Sequence, residues 1–258
     1  MPIITLTTDF GLKDYYVALV KAALLSKEPS LQIVDISHNV NAYDIVQGAF
    51  ILKNCYAAFP KGTIHIVSIS DYSTKKPCFL ALRHDGHYFI GADNGLFSLL
   101  FENTPNKDIY EIDYYADESF PVKRTFAEAV AHLISSKPFN EIGIPIEAIE
   151  ERITFQPVIS KSEVNGTVIH IDHYGNAITN IRRDTFEQVG QGRPFALYFK
   201  RHDPILQLSN YYADVPIGEA LCFFNAANCL EIAINHGNAA ELFGLKVEDT
   251  IQVNFKES

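Results

Sequence analysis

Carboxylates and amides set on glycine turns are the residues of this chain best suited to chemistry. Thr7-Thr8-Asp9-Phe10-Gly11 closes a β-branched run. At the carboxyl end of a strand, an ionised Asp9 can accept hydrogen bonds from both hydroxyls of a ribose, and Gly11 lets backbone approach the ligand. A helix cap made by Asp9 or Thr8 explains the same fragment more simply. Gly91-Ala92-Asp93-Asn94-Gly95 follows another strand-like run and by itself reads as turn construction. Within Gly166–Asn180, Asp172, His173, Tyr174 and Asn176 crowd a tight turn. Such a cluster could grip an aromatic base by stacking and amide hydrogen bonds, and a hairpin with polar caps accounts for it equally well. Leu230–Ala240 runs from a strand into a polar glycine turn that carries Asn235 and His236.

Several chemistries lack their motifs. The nine histidines show no HExxH spacing and the four cysteines no CxxC pair, so neither a metal site nor a cofactor is expected. GxGxxG, GxxxxGK[ST] and GxSxG are also missing from the sequence. A net charge of −10 argues against nucleic acid as a partner and favours a neutral or cationic small molecule. Apolar runs are broken by Lys21 and Lys27 well before the roughly 18 residues a membrane span needs, so no membrane partner is expected. The first residues enter a strand-like segment without a basic region or cleavage site, and a cytoplasmic location is the expectation.

The elements that must position these turns fall into two textures. Over residues 1–159, strand-like runs alternate with helical stripes: Tyr16, Leu19, Val20, Ala23 and Leu24, then Ile45, Ala49, Leu52 and Tyr56, then Phe126, Ala129, Val130, Leu133 and Ile134. Asp14 is the expected N-cap of the first helix. This alternation predicts an α/β domain with a mostly parallel sheet, whose ligands sit beyond the carboxyl ends of the strands. Residues 160–258 carry short β-rich segments and few helical stripes, which predicts a smaller all-β, barrel-like domain. At 258 residues, two domains fit the usual size of about 150 each.

Taken in order, Thr8-Asp9-Phe10-Gly11, Asp35-Ile36-Ser37-His38, Phe59-Pro60-Lys61-Gly62-Thr63, Asp93-Asn94-Gly95, Gly175–Asn180 and Leu230–Ala240 resemble the S-adenosylmethionine (SAM) hydroxide adenosyltransferases, relatives of the SAM-dependent fluorinase and chlorinase. The resemblance runs over nearly the whole chain. It implies an α/β domain, a C-terminal β-barrel and a homotrimer with nucleoside sites between subunits. It also implies SN2 attack of water at C5′ of SAM, releasing adenosine and methionine. By that resemblance Asp9 binds the ribose hydroxyls with Phe10 beside it, and Asp14 lies toward the methionine. Asp93 and Asn94 fall in a substrate-binding motif, Asp172 meets the methionine ammonium and Tyr174 packs near the base. Asn176 binds adenine, and Asn235 with His236 completes the adenine pocket.

The segments that activate water in the family differ here. A family strand end reading roughly V-V-D-P-G-V-G-T-x-R is replaced by Val67-Ser68-Ile69-Ser70-Asp71-Tyr72-Ser73-Thr74-Lys75-Lys76-Pro77. Ser70 takes the aspartate position and Lys75 the arginine position. The family's T-F-H-G-R-D-x-F segment becomes Ser119–Phe126, with Pro121 at the histidine and Val122 where the halogenases carry a serine. Proline carries no proton, and a serine hydroxyl is too weak an acid or base to replace a carboxylate. Two expectations stand: Asp71 takes the vacant role with Lys75 or Lys76 as the cation, or the loop is a shortened surface turn and Asp71 is solvated. The corresponding functions are a SAM hydrolase with an altered water-activating set and a SAM or adenosine binder without turnover; halogenation is disfavoured by Val122.

Overall fold

The computed structural model describes residues 2–72, 77–101, 107–115, 120–135, 137–200 and 202–256. It divides into two compact units, Met1–Ile153 and Thr154–Ser258.

In the first unit the elements are β1 (Ile3–Thr8), α1 (Tyr16–Lys27), β2 (Gln32–Ser37), α2 (Ile45–Lys53), β3 (Ile64–Ser68), β4 (Phe79–His84), β5 (His87–Ala92), α3 (Leu96–Leu100), β6 (Ile109–Ile112), α4 (Val122–Ile134) and β7 (Ile144–Pro145). The sheet order is β2-β1-β3-β5-β4-β6-β7. Its central strands β1, β3, β5 and β4 are buried on both faces, so alternate residues feed two cores. Ile66, Ala81 and Ile90 pack under α1 and α4 with Val20, Leu24, Phe126 and Val130. Val67, Leu80, Leu82 and Phe89 pack under α2 and α3 with Leu52, Leu96 and Phe97. The result is a helix–sheet–helix sandwich.

The expected mostly parallel sheet is corrected to a mixed one. β2, β1, β3 and β5 run parallel, whereas β4, β6 and β7 join antiparallel. The reason is the turn between β4 and β5: Asp85 and Gly86 both have positive φ (48° and 76°), the geometry of a two-residue hairpin. Two residues cannot make a crossover, so β4 must fold back on β5. A second correction concerns Asp14. It is exposed, and α1 begins at Tyr16 after Tyr15, with no side chain capping it. The second helix is capped by Asp44, whose side chain accepts from the Gln47 N–H.

The second unit contains β8 (Val158–Ile159), β9 (Glu163–Ile171), β10 (Ala177–Arg182), α5 (Arg183–Gly190), β11 (Phe195–Phe199), β12 (Ala220–Phe224), β13 (Cys229–Ile234), α6 (Ala239–Phe243) and β14 (Thr250–Phe255). All of its strand pairs are antiparallel, in the order β11-β14-β9-β10-β13-β12 with β8 beside β9. This is a curled, half-barrel sheet around Val164, Leu197, Leu230, Ile232, Ile251 and Val253. Helix α5, absent from the sequence expectation, places Phe186 against Phe195, Phe224 and Phe255 with ring centroids 5.0–5.3 Å apart.

Candidate functional site

The parallel core strands of the first unit bring three turns together. Thr8 pairs with Ser68, and Val67 with Gly91, so the residues following β1, β3 and β5 share the carboxyl edge where ligands of such sheets bind. Asp9 lies there, half-buried. Its Oδ2 accepts from the backbone N–H of Tyr43 at 2.9 Å and of Ser70 at 3.3 Å. Both donors belong to non-glycine residues with left-handed backbone, φ 69° and 54°. Such backbone is costly and persists only where the surroundings over-determine it. One carboxylate oxygen therefore fixes two strained turns.

Two further ties hold this edge. Thr8 Oγ1 lies 2.8 Å from His38 Nδ1, His38 Nε2 lies 3.1 Å from Asp35 Oδ1, and the His38 carbonyl accepts from the Gly11 N–H at 2.7 Å. Asn94 donates from Nδ2 to the carbonyls of Ile69 (2.8 Å) and Ser70 (3.4 Å), while its Oδ1 accepts from the Leu96 N–H. Asn94 is thus a latch on the loop after β3. Asp93 is tied elsewhere: it accepts from the Glu150 N–H at 2.8 Å, and burial raises its pKa.

Asp71 is the unusual group. It is 6% exposed, its Oδ2 accepts from the Ser68 hydroxyl, and its Oδ1 is buried without a hydrogen-bond partner among the described residues. Burial, with the charge of Asp9 adding to it, pushes this carboxyl up to about 7. Of the two expectations for the residue, the solvated one is overturned: Asp71 points into the protein. Ser70 contributes its N–H to Asp9, Phe10 is half-buried against the Phe120 ring at 5.7 Å, and Lys75 lies outside the described residues. Pro121 opens α4, and Val122 is fully buried.

In the second unit the motif turns also meet. Asp172 Oδ1 accepts from the N–H groups of Tyr174 (2.9 Å) and Asn176 (2.8 Å), and its Oδ2 accepts from Asn176 Nδ2 at 3.0 Å. Gly175 has φ 81°, and a Cβ there would stand 2.0 Å from Asn238 Oδ1. Its carbonyl accepts from the Ala240 N–H, so the turn after β9 rests on the turn after β13. Asn176 is 1% exposed and Tyr174 75%. Asn235 is buried and donates from Nδ2 to the Val215 carbonyl at 2.8 Å, and the next residue, His236, is exposed with φ 56°.

The family model described as the SAM hydroxide adenosyltransferase N-terminal domain matches residues 4–143, and that of the C-terminal domain matches residues 166–252. The chain belongs to the SAM hydroxide adenosyltransferase family. It is 28% identical to an (R)-S-adenosyl-L-methionine hydrolase of Thermus thermophilus, over 93% of this chain and 94% of the relative. A fluorinase of Nocardia brasiliensis is 26% identical, over 98% of this chain and 96% of the relative. Among solved structures, an uncharacterized conserved protein from Thermotoga maritima superposes with a TM-score of 0.85 at 29% identity, covering 98% of this chain and 99% of the other.

Sequence reasoning on this adenosyltransferase-family chain missed three residues beneath the second motif turn. Tyr212 accepts from Asn176 Nδ2 at 2.9 Å, Glu231 Oε1 accepts from the Tyr212 hydroxyl at 3.3 Å, and Glu231 Oε2 accepts from Asn225 Nδ2 at 2.9 Å. A signal existed for Glu231, a carboxylate inside the otherwise apolar run Leu230–Ile234. Tyr212 gave none, because it is 36 residues from Asn176 along the chain.

Proposed function

We propose that this protein hydrolyses S-adenosyl-L-methionine to adenosine and methionine, with Asp71 as the base that activates water. The observation that carries this reading is the buried Asp71 carboxylate with one unpartnered oxygen, held up to about 7 at the strand edge that also carries Asp9. A base whose pKa lies near the working pH combines a usable ionised fraction with a real affinity for the proton. Family membership and the hydrolase name of a full-length relative support the same reaction.

In the reaction, the water oxygen attacks C5′ of the ribose in line with the sulfonium. The C5′–S bond breaks, its electron pair stays on sulfur as neutral methionine, and the water proton passes to Asp71. The sulfonium leaves unaided, so the scheme requires no acid and no cofactor. Asp9 holds the ribose hydroxyls, with Phe10 and Asn94 shaping the turn around it. Fixing the diol limits the water and C5′ to a near-attack geometry, an effect that in favourable cases is worth several powers of ten in rate. Asp172, Tyr174, Asn176, Asn235 and His236 form the adenine and methionine end. Asp14 lies at the methionine end, and Lys75 takes the sequence position of the family's arginine. The protein works as a cytoplasmic homotrimer, each site completed by a neighbouring subunit.

A non-catalytic SAM or adenosine binder is the second reading, favoured by Pro121 and Val122, neither of which can carry a proton. Halogenation is third, since Val122 offers no hydroxyl to a halide. Incubating purified protein with SAM and following adenosine and methionine by chromatography separates the first two. Release that Asp71→Asn abolishes supports hydrolysis. A rise in Tm with SAM but no product supports the binder, and no Tm shift with SAM or adenosine overturns both.

A further inference from the structure

The hydrogen bonds under the turn after β9 have a direction, and that direction restricts what Asn176 can offer a ligand. An ionised carboxylate only accepts, so the Asn176 amide must turn its NH2 toward Asp172 Oδ2, 3.0 Å away. The second N–H of the same NH2 goes to the Tyr212 oxygen at 2.9 Å. For that oxygen to accept, the phenol proton must point elsewhere, and Glu231 Oε1 takes it. Glu231 is 4% exposed and is itself held from the other side by Asn225. Tyr212 is fixed in place as well: Asp214 caps the N–H groups of Asn210 and Tyr211, and the Phe223 ring stands edge-on at 5.2 Å.

Both donors of Asn176 are thereby consumed inside the protein, and only its carbonyl oxygen remains for a ligand. We propose that Glu231 and Tyr212 are positioning residues that, together with Asp172, lock the Asn176 amide as an acceptor, so that the site selects a purine bearing a 6-amino donor over one bearing a 6-oxo group. This rests on the proposed reading in which Asn176 meets the nucleoside base. Burial supports the polarity of the relay, since it pushes the Tyr212 phenol up to about 12 and keeps it a neutral donor to Glu231. The selection is a physical consequence of unpaired groups: a 6-oxo purine would set two acceptors face to face, and a buried polar group without a partner loses its hydration for nothing.

Adenosine and inosine are the probes, titrated calorimetrically into the intact wild-type protein, Tyr212→Phe and Glu231→Gln. The wild type is expected to favour adenosine by about tenfold or more. Tyr212→Phe removes one of the two acceptors that hold the amide and leaves Asp172 as the other, which lowers the cost of turning an N–H toward a 6-oxo group, so inosine should bind more tightly than it does to the wild type while adenosine holds or weakens. Glu231→Gln can donate to the phenol and turn its proton toward Asn176, which should narrow the ratio in the same sense by a smaller factor. A merely structural role cannot tighten binding of the wrong nucleoside. Equal affinity of the wild type for the two nucleosides overturns the proposal, as does a proportional loss of both in the variants. Wild-type protein that binds neither nucleoside sinks the reading beneath it as well, and is distinguished by that silence. If Tyr212→Phe fails to fold, Glu231→Gln and the wild-type ratio still decide.

Discussion

Each unit gathers carboxylates at or beneath its motif turns, and the two treat them in opposite ways. In the second unit every oxygen of Asp172 and Glu231 accepts a hydrogen bond from a named donor. In the first, Asp9 spends one oxygen on two backbone donors, while Asp71 keeps a buried oxygen with none among the described residues. Satisfied carboxylates make a rigid surface that can recognise; an unsatisfied one holds free energy in reserve for a proton. The contrast teaches that a carboxylate is fixed as scaffold or left open to a proton according to how completely its neighbours meet it.

The sharpest way to break that contrast is Asp71→Asn. Adenosine release should fall by about 100-fold or more, the usual worth of a general base, while SAM still raises Tm. An undiminished rate would mean that the unpartnered oxygen is not the base. In the wild type the rate should rise with pH around a midpoint near 7, because the base must be ionised. Stability should move the other way. A carboxyl raised in the folded state contributes stability that is present below the unfolded pKa, about 4, and is lost as pH rises through about 7. Asp71→Asn should therefore gain on the wild type in Tm at pH 8 relative to pH 4, measured by paired melts across that range.

Next in size is the latch. Asn94→Ala removes the donor to the Ile69 and Ser70 carbonyls, and should lower kcat about tenfold through misalignment, with a stability loss of about 1–3 kcal/mol. Loss of stability without any change in kcat would make Asn94 a strut for the fold alone.

The opposite edge of the same sheet gives a control that has no part in the proposed chemistry. Thr5 Oγ1 lies 2.7 Å from His65 Nδ1, and His65 Nε2 lies 3.3 Å from His87 Nδ1. Burial lowers both imidazoles, His65 to about 3, with the charge of His87 adding to that shift. The unfolded chain binds protons near 6.5, so stability should fall as pH drops from about 6.5 toward 3. Denaturant melts of His87→Asn should show a flatter decline over that window; an identical slope would remove His87 from the account. The smallest effect belongs to Tyr43→Gly. Relief of the positive φ should offset much of the lost side chain and backbone entropy, leaving stability within about 1 kcal/mol of the wild type.

Much of this arrangement is legible in the residues. The stripes of α1, α2 and α4 stand out because a helix that covers a sheet must be apolar every third or fourth residue, whatever it covers. The motif turns at Asp9, Asn94, Asp172 and Asn235 are legible only as an ordered set, because each alone reads as well as a cap or a hairpin turn. Helix α5 leaves little trace in the sequence because Phe186 and Val189 are the only apolar side chains in its eight residues, too few to mark a helical stripe. The reversed strand β4 was hidden for another reason: Asp85-Gly86 is a strong hairpin pair, but the alternation of strand and helix around it suggested crossovers.

Composition and order of motifs determined by themselves that this is a two-domain chain of the adenosyltransferase type, because those properties are written locally. Tertiary structure alone decided that Asp71 is buried and unpartnered rather than solvated, that Asn94 braces a loop 25 residues away, and that Tyr212 and Glu231 stand beneath Asn176. The physical reason is that burial and hydrogen-bond satisfaction depend on what the fold brings alongside a group, and a side chain's own sequence neighbours say little about that.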